Sequence, residues 1–276
     1  MDQVWLDHKR NWESVDMAVY HENPDNRIGD EIQMTALLGY LTSMGLKVEY
    51  KDVCGAVSAA GIFPDGLVNF VRDNSAGLPK FDPFNLWVWS PFLRDRGFYT
   101  SVQKTHDDSE ACYDCVFCPC LAPAYNEVRG LLPDNALAIH RALGSVFRKC
   151  VMVVDKTKGG LIPDGTPGVI LSDDIYTTFR IVERSSVFVG CDTGTSHYAG
   201  AIRHPRMVLL YPDETEVQNR IHWQHQIMAF IFSRPELVMY RASSLPCCDP
   251  RRYSKLTVSA NTVGPEDVCR VAHSKA

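Results

Sequence analysis

Between Gly190 and Pro205 the chain reads Gly-Cys-Asp-Thr-Gly-Thr-Ser-His-Tyr-Ala-Gly-Ala-Ile-Arg-His-Pro, and these residue types suit the binding of an anion. The apolar residues 187–189 before it predict a strand and residues 196–202 a helix, which places Asp192, Thr193, Gly194, Thr195 and Ser196 at a strand-to-helix junction. First-turn amides of a helix have no intrahelical acceptor and carry the positive end of its dipole. With the Gly194 backbone and the hydroxyls of Thr193, Thr195 and Ser196 they are able to receive a diphosphate, and His197 adds a further donor. Taken alone, an Asp-Thr-Gly of this kind is more commonly an ordinary strand-to-helix turn capped by Thr or Ser.

A second set of chemically capable residues is the cysteine run Cys112, Cys115, Cys118 and Cys120, which contains two Cys-x-x-Cys spacings. Four thiolates suit zinc or iron. If Tyr113–Cys118 is a strand, however, residues 112 and 118 share one face while 115 points to the other, so buried thiols within a sheet are the preferred reading and no metal is expected. Cys247 and Cys248 complete a site only if the tail folds back. His222 and His225 have a spacing better suited to packing on a helix than to two ligands. Neither a Gly-x-Ser-x-Gly nor a Walker-type Gly-Lys-Thr/Ser pattern occurs.

The elements that must position these groups follow from apolar periodicity. Residues 15–20 predict a buried strand, and a helix starts near Gly29, with Ile32, Ala36, Leu37, Leu38, Tyr40, Leu41 and Met44 at helical spacing and Gly45 as its stop. Residues 46–50 then form the next strand. Pro64, Pro79, Pro83 and Pro91 interrupt the region that follows, where residues 86–89 are one candidate strand. The polar stretch 103–110 is the linker candidate, dividing the chain into domains 1–108 and 109–276. Beyond it come strand Tyr113–Cys118, helix 134–147, strand 150–154, helix 175–184, strand 187–189, helix 196–202, strand 207–211 and a closing helix 265–272. Strands alternating with helices predict parallel sheets.

The 276 residues carry 28 Lys and Arg against 33 Asp and Glu, a net charge of −5 that gives no general attraction to phosphate backbones. No apolar run approaches the ~20 residues that cross a bilayer. The first residues lack a secretion signal's basic start and apolar middle, so the expected location is the cytoplasm and the ten cysteines are expected as reduced thiols.

The stretch from Asp192 to Ala201, with His204-Pro205 and the apolar run to Tyr211-Pro212, is similar to the donor-site signature of the ADP-heptose:lipopolysaccharide heptosyltransferase family, glycosyltransferase family 9. The resemblance implies a GT-B fold, two Rossmann-like domains whose parallel sheets face a central cleft. It further implies that Asp192, Thr193, Gly194 and His197 contact the diphosphate and sugar of a donor. Arg27-Ile28-Gly29-Asp30-Glu31-Ile32 resembles the family's Gly-Asp motif after the first strand. By that resemblance Gly29 supports the loop and Asp30 is the general base that deprotonates an acceptor hydroxyl. As a residue on its own Asp30 reads equally as a helix N-cap, and Glu31 is expected to face solvent. In the loop 119–129, Arg129 precedes Leu131-Leu132-Pro133 where the family has a basic residue before Trp-Pro. The resemblance implies a phosphate-binding cation there; the Trp is missing, and an exposed structural Arg is the other reading. Gly264-Pro265-Glu266-Asp267-Val268 before the last helix completes the order of motifs.

The resemblance implies an inverting, metal-independent glycosyltransferase with a nucleotide-diphosphate-sugar as substrate and no cofactor. The lack of any Asp-x-Asp agrees with this, because a site without a metal neutralises diphosphate with backbone dipoles and cations. The chain is shorter than is usual for the family, chiefly in the first domain, so the acceptor is not carried over. Lipopolysaccharide core, another glycan, a protein side chain or a hydroxymethylated DNA base are candidates, the acidic balance weighing against nucleic acid. The competing readings are a non-catalytic nucleotide-sugar-binding module and a cysteine-based metal protein.

Overall fold

The computed structural model describes residues 17–21, 28–45, 47–51, 63–64, 67, 69–71, 93, 96–105, 112–121, 131–191, 193–210, 238–239 and 265–273. Two parallel sheets organise them. The first holds β1 (Met17–His21), β2 (Lys47–Lys51) and β3 (Asn69–Val71) in that spatial order, with α1 (Ile28–Ser43) crossing from β1 to β2. Tyr50 sits in register between Tyr20 and Phe70. Strands β1 and β2 and helix α1 fall where apolar periodicity puts them, whereas β3 has three residues and too little pattern to announce itself.

The second sheet holds six parallel strands: β4 (Tyr113–Cys118), β5 (Cys150–Asp155), β6 (Val169–Ser172), β7 (Ser185–Cys191), β8 (Met207–Leu210) and β9 (Val238–Met239). Their spatial order is β6-β5-β4-β7-β8-β9, so the chain first steps outward from β4 and then returns to continue on its other side. That is the order of a doubly wound sheet, with its switch point between β4 and β7. Helices α2 (Pro133–Val146), α3 (Ile175–Glu183) and α4 (Gly194–Ala201) and a 3-10 turn, Lys156–Leu161, make the crossovers, and α5 (Pro265–His273) packs on α2.

Local chemistry sets the helix starts. Pro133 opens α2 with Asp134 in its first turn, where a fixed φ and a negative charge both suit the helix entrance. Asp174 caps α3, its carboxylate accepting from the Tyr176 and Thr177 amides at 3.0 and 2.9 Å. These backbone hydrogen bonds hold the Asp174 carboxyl below its ordinary 3.8 against the opposing effect of burial.

Alternation along β4 and β7 feeds two apolar layers. Cys115, Phe117, Val187 and Val189 point under α2 and α5, whereas Val116, Cys118 and Phe188 face α3 and α4. The second layer also takes in Ile32, Leu38 and Leu41 of α1, so the helix of the small sheet and those of the large one share a core. This explains a correction: Glu31, expected to face solvent, is only 3% exposed, because α1 is covered on more than one side.

The segment 98–105 bonds to helices of both sheets, α1 on one side and α3 and α4 on the other. The Ser101 amide donates to Thr35 Oγ1 at 3.0 Å on α1. The Thr105 hydroxyl donates to Glu183 Oε1 at 3.0 Å on α3, and the same oxygen accepts from the Tyr198 hydroxyl on α4. The Tyr198 ring stacks on Phe179 with centroids 3.8 Å apart. No helix among the described residues is long and apolar enough to cross a membrane. The expected strand at 86–89 and the histidines at 222 and 225 lie outside the described residues.

Candidate functional site

Parallel strands all end on one edge of their sheet, and in a doubly wound sheet the crossovers part at the switch point to leave a crevice there. A cavity of ≈310 Å³ occupies this position, at the carboxyl ends of β4, β5, β6 and β7. Thr193, Gly194 and Thr195 form one wall, Asp155 and Lys158 a second, Ser172 to Asp174 a third; Cys118 to Leu121 also line it, and Ile28 enters from α1. Its size falls within the range of small-molecule sites.

The Thr193–Thr195 wall is the start of α4. Thr193 is the N-cap residue, extended at φ −143° and ψ 170°, yet its side chain takes no amide of the first turn. Its hydroxyl instead pairs with Thr195 Oγ1 at 2.7 Å. The Gly194 and Thr195 amides therefore have no acceptor among the described residues, and they head a helix dipole at the cavity wall. Such an arrangement favours an anion such as a phosphate.

The rest of the predicted segment is used to build that wall. Ser196 Oγ donates to the Cys191 carbonyl and is 1% exposed, which fixes the end of β7 to the start of α4. His197 is buried with its ring against α1: a Cβ on Gly29 would lie 2.7 Å from His197 Cδ2 and 3.4 Å from the Gly194 Cα. A Cβ on Gly194 would in turn overlap Ile28 Cγ2. Two helix amino-termini, one from each sheet, thus meet beside the cavity because both carry glycine at the crossing. Asp30 lies in the first turn of α1, one residue beyond that contact. Asp192 and Arg129 lie outside the described residues.

Among the wall residues that no motif announced, Asp155 caps the 3-10 turn, accepting from the Thr157 amide at 2.8 Å and its hydroxyl at 2.7 Å. Asp173 pairs with Lys156 at 3.3 Å on the surface. Lys158, the lysine lining the cavity, has no carboxylate partner among the described residues. Burial pushes the Cys118 thiol up to about 12, so it is neutral and unreactive at the cavity floor. Cys115 and Cys118 enter opposite apolar layers, as strand alternation requires, and among the described residues no group of three or more His, Cys, Asp or Glu is placed to hold a metal ion.

No protein-family model matches the sequence, and no curated protein matches it either. Solved structures do resemble the fold. The structure of the Escherichia coli ADP-heptose lipopolysaccharide heptosyltransferase II superposes with a TM-score of 0.63 at 11% identity, covering 94% of this chain and 98% of that one. The iron-containing dodecameric glycosyltransferase TibC of enterotoxigenic E. coli H10407 gives 0.45 at 12% identity, covering 70% of this chain and 58% of its own. The E. coli heptosyltransferase WaaC with ADP gives 0.40 at 11%, covering 72% and 88%. The likeness of fold rests on the first of these: the chain has an α/β architecture of parallel sheets similar to that of a GT-B heptosyltransferase.

Proposed function

We propose that the protein is a glycosyltransferase that moves a sugar from a nucleotide-diphosphate-sugar to a hydroxyl acceptor, with inversion and without a metal. The observation that carries this reading is the cavity wall at Thr193–Thr195, where two amides without acceptors among the described residues head α4 at the switch point of a Rossmann-like sheet. The fold it shares with a heptosyltransferase supports the same donor class. In this reading Gly194 and Thr195 hold the diphosphate through their amides, with Asp192 and Thr193 beside them and Ser196 and His197 fixing the loop. Lys158 and Arg129 supply positive charge, and Asp155 and Ser172 offer acceptors to the ribose or base.

Asp30 is assigned as the general base. Its place in the first turn of α1, next to the Gly29–Gly194 crossing, brings its backbone to the junction of the two sheets. As the acceptor oxygen attacks the anomeric carbon, the bond from that carbon to the diphosphate breaks. Asp30 takes the acceptor proton, while the α4 amides and the lysine stabilise the departing nucleoside diphosphate.

The test is a transfer assay paired with a binding assay. Asp30→Asn is expected to bind sugar nucleotide as the parent does and to lose transfer; loss of binding together with transfer would remove Asp30 from the base role. Whole-protein transfer of sugar to glycan, lipopolysaccharide-type and polypeptide acceptors then identifies the acceptor class.

A further inference from the structure

A second cluster lies at the other edge of the large sheet, away from the carboxyl-end cavity. Cys150 opens β5, and its register partner on β4 is Cys115. Register partners on adjacent parallel strands project to the same face about 4.8 Å apart, and disulfides form at Cα separations of about 4.4–6.8 Å. Both thiols join the apolar layer beneath α2. From α2, His140 brings its Nδ1 to 4.0 Å from Cys150 Sγ. Its Nε2 lies 3.0 Å from the Pro167 carbonyl, which only accepts, so Nε2 carries a hydrogen and Nδ1 is the nitrogen left for the sulfur. The following Gly168 has φ +73°, and a Cβ there would be 3.1 Å from both His140 Nε2 and the Cys150 carbonyl. Glycine thus lets the chain close over the imidazole and hold it against the thiol.

We propose that Cys150, His140 and Cys115 form a thiol-oxidation site, at which a hydroperoxide oxidises Cys150 and Cys115 then closes a disulfide between β4 and β5. Burial sets the order of events. Cys150 is partly exposed and meets the oxidant, whereas Cys115 is 0% exposed and is reached only by its neighbour. A hydrogen bond from Cys115, joined by one from His140, draws the Cys150 thiol down to about 6 from 9.0 against the opposing effect of burial, and the same pairing pushes Cys115 up. Asp114 on β4 opposes the Cys150 charge, and Cys269 on α5, with Glu266 behind it, is the third thiol nearby.

In the first step the Cys150 proton passes to His140 Nδ1 and the thiolate attacks one peroxide oxygen. The O–O bond breaks, and the departing oxygen takes the imidazolium proton and leaves as water or an alcohol. In the second step the Cys115 sulfur attacks the sulfenic sulfur of Cys150. An S–S bond forms, and hydroxide leaves with the Cys115 proton as water. Two thiols are oxidised and one peroxide is reduced.

The test is treatment of the whole protein with one equivalent of hydrogen peroxide, followed by intact mass measurement and peptide mapping without reductant. The expected result is the loss of two hydrogens and a peptide linking Cys115 to Cys150. Cys115→Ala is expected to trap a dimedone adduct at Cys150, and His140→Gln to slow Cys150 alkylation by iodoacetamide on the order of tenfold. Should either variant fail to fold, the map of the parent protein decides. A map in which Cys150 stays reduced while other cysteines oxidise, or in which it is joined to Cys269, would overturn the proposal.

Discussion

Gly29 and Gly194 face each other where α1 meets α4, with so little room that a Cβ on the first would lie 3.4 Å from the Cα of the second. The two helices come from different sheets, and their amino-termini meet beside a cavity whose wall presents the first amides of α4, which have no acceptor among the described residues. The contact therefore joins the two halves at the place where the proposed chemistry occurs.

Gly29→Ala is expected to force the His197 ring away and to cost about 1–3 kcal/mol of stability, as overpacking does. Sugar-nucleotide binding should weaken with it. Gly144 supplies the control, since it lies within α2 with nothing within 4 Å of an added Cβ. Gly144→Ala should be neutral or stabilise by up to about 1 kcal/mol. Urea unfolding of the two variants measures both, and equal behaviour would show that the Gly29 contact is not tight.

Lys158→Ala is expected to weaken binding of a nucleoside diphosphate about tenfold to a hundredfold, the range for losing a hydrogen bond to a charged group. Lys158→Arg should keep most of the affinity. Calorimetric titration with nucleoside diphosphates distinguishes the three proteins, and an unchanged affinity in the alanine variant would remove Lys158 from the phosphate's surroundings.

Tyr198→Phe should keep the stacking on Phe179 but leave Glu183 Oε1 without its phenol donor. Removing one partner from a half-buried pair costs about 1–3 kcal/mol. Because the same carboxylate holds Thr105, hydrogen exchange should rise at residues 101–105 before it rises in β4. Uniform exchange across both would contradict a local role.

Asp174→Ala should destabilise the protein by about 1 kcal/mol at neutral pH through loss of the α3 cap. The folded-state carboxyl lies below its unfolded 3.8, so the cap's contribution is present above that value and is lost as pH falls through the lower, folded one. The difference between parent and variant in urea midpoint should therefore shrink in acid. A difference that persists there would mean the aspartate acts by something other than its charge.

Several elements were legible in the sequence because burial on both faces of a parallel sheet leaves a continuous apolar run: Val116 to Cys118 and Val187 to Val189 are of this kind. Strands β3 and β9 were not, having three and two residues, too few to show a period. At the site, Thr193 to Thr195 could be read because a strand-to-helix junction is local. Asp155, Lys158 and Ser172 could not, since they become neighbours of Gly194 only when β4 to β7 assemble in their order. Glu31 misled for the same reason: its sequence neighbours say nothing of the second helix layer that buries it.

The central claim is that the cavity at Thr193–Thr195 binds a nucleotide-diphosphate-sugar, and the most direct measurement is thermal unfolding of the whole protein with ADP-, GDP-, UDP- and dTDP-sugars in turn. A ligand that binds only the folded state at a hundred times its Kd adds about 2.7 kcal/mol. One nucleotide series is expected to raise the melting temperature of the parent and to do so much less for Gly29→Ala and Lys158→Ala. Unchanged melting with all four donors at millimolar concentration would contradict the account.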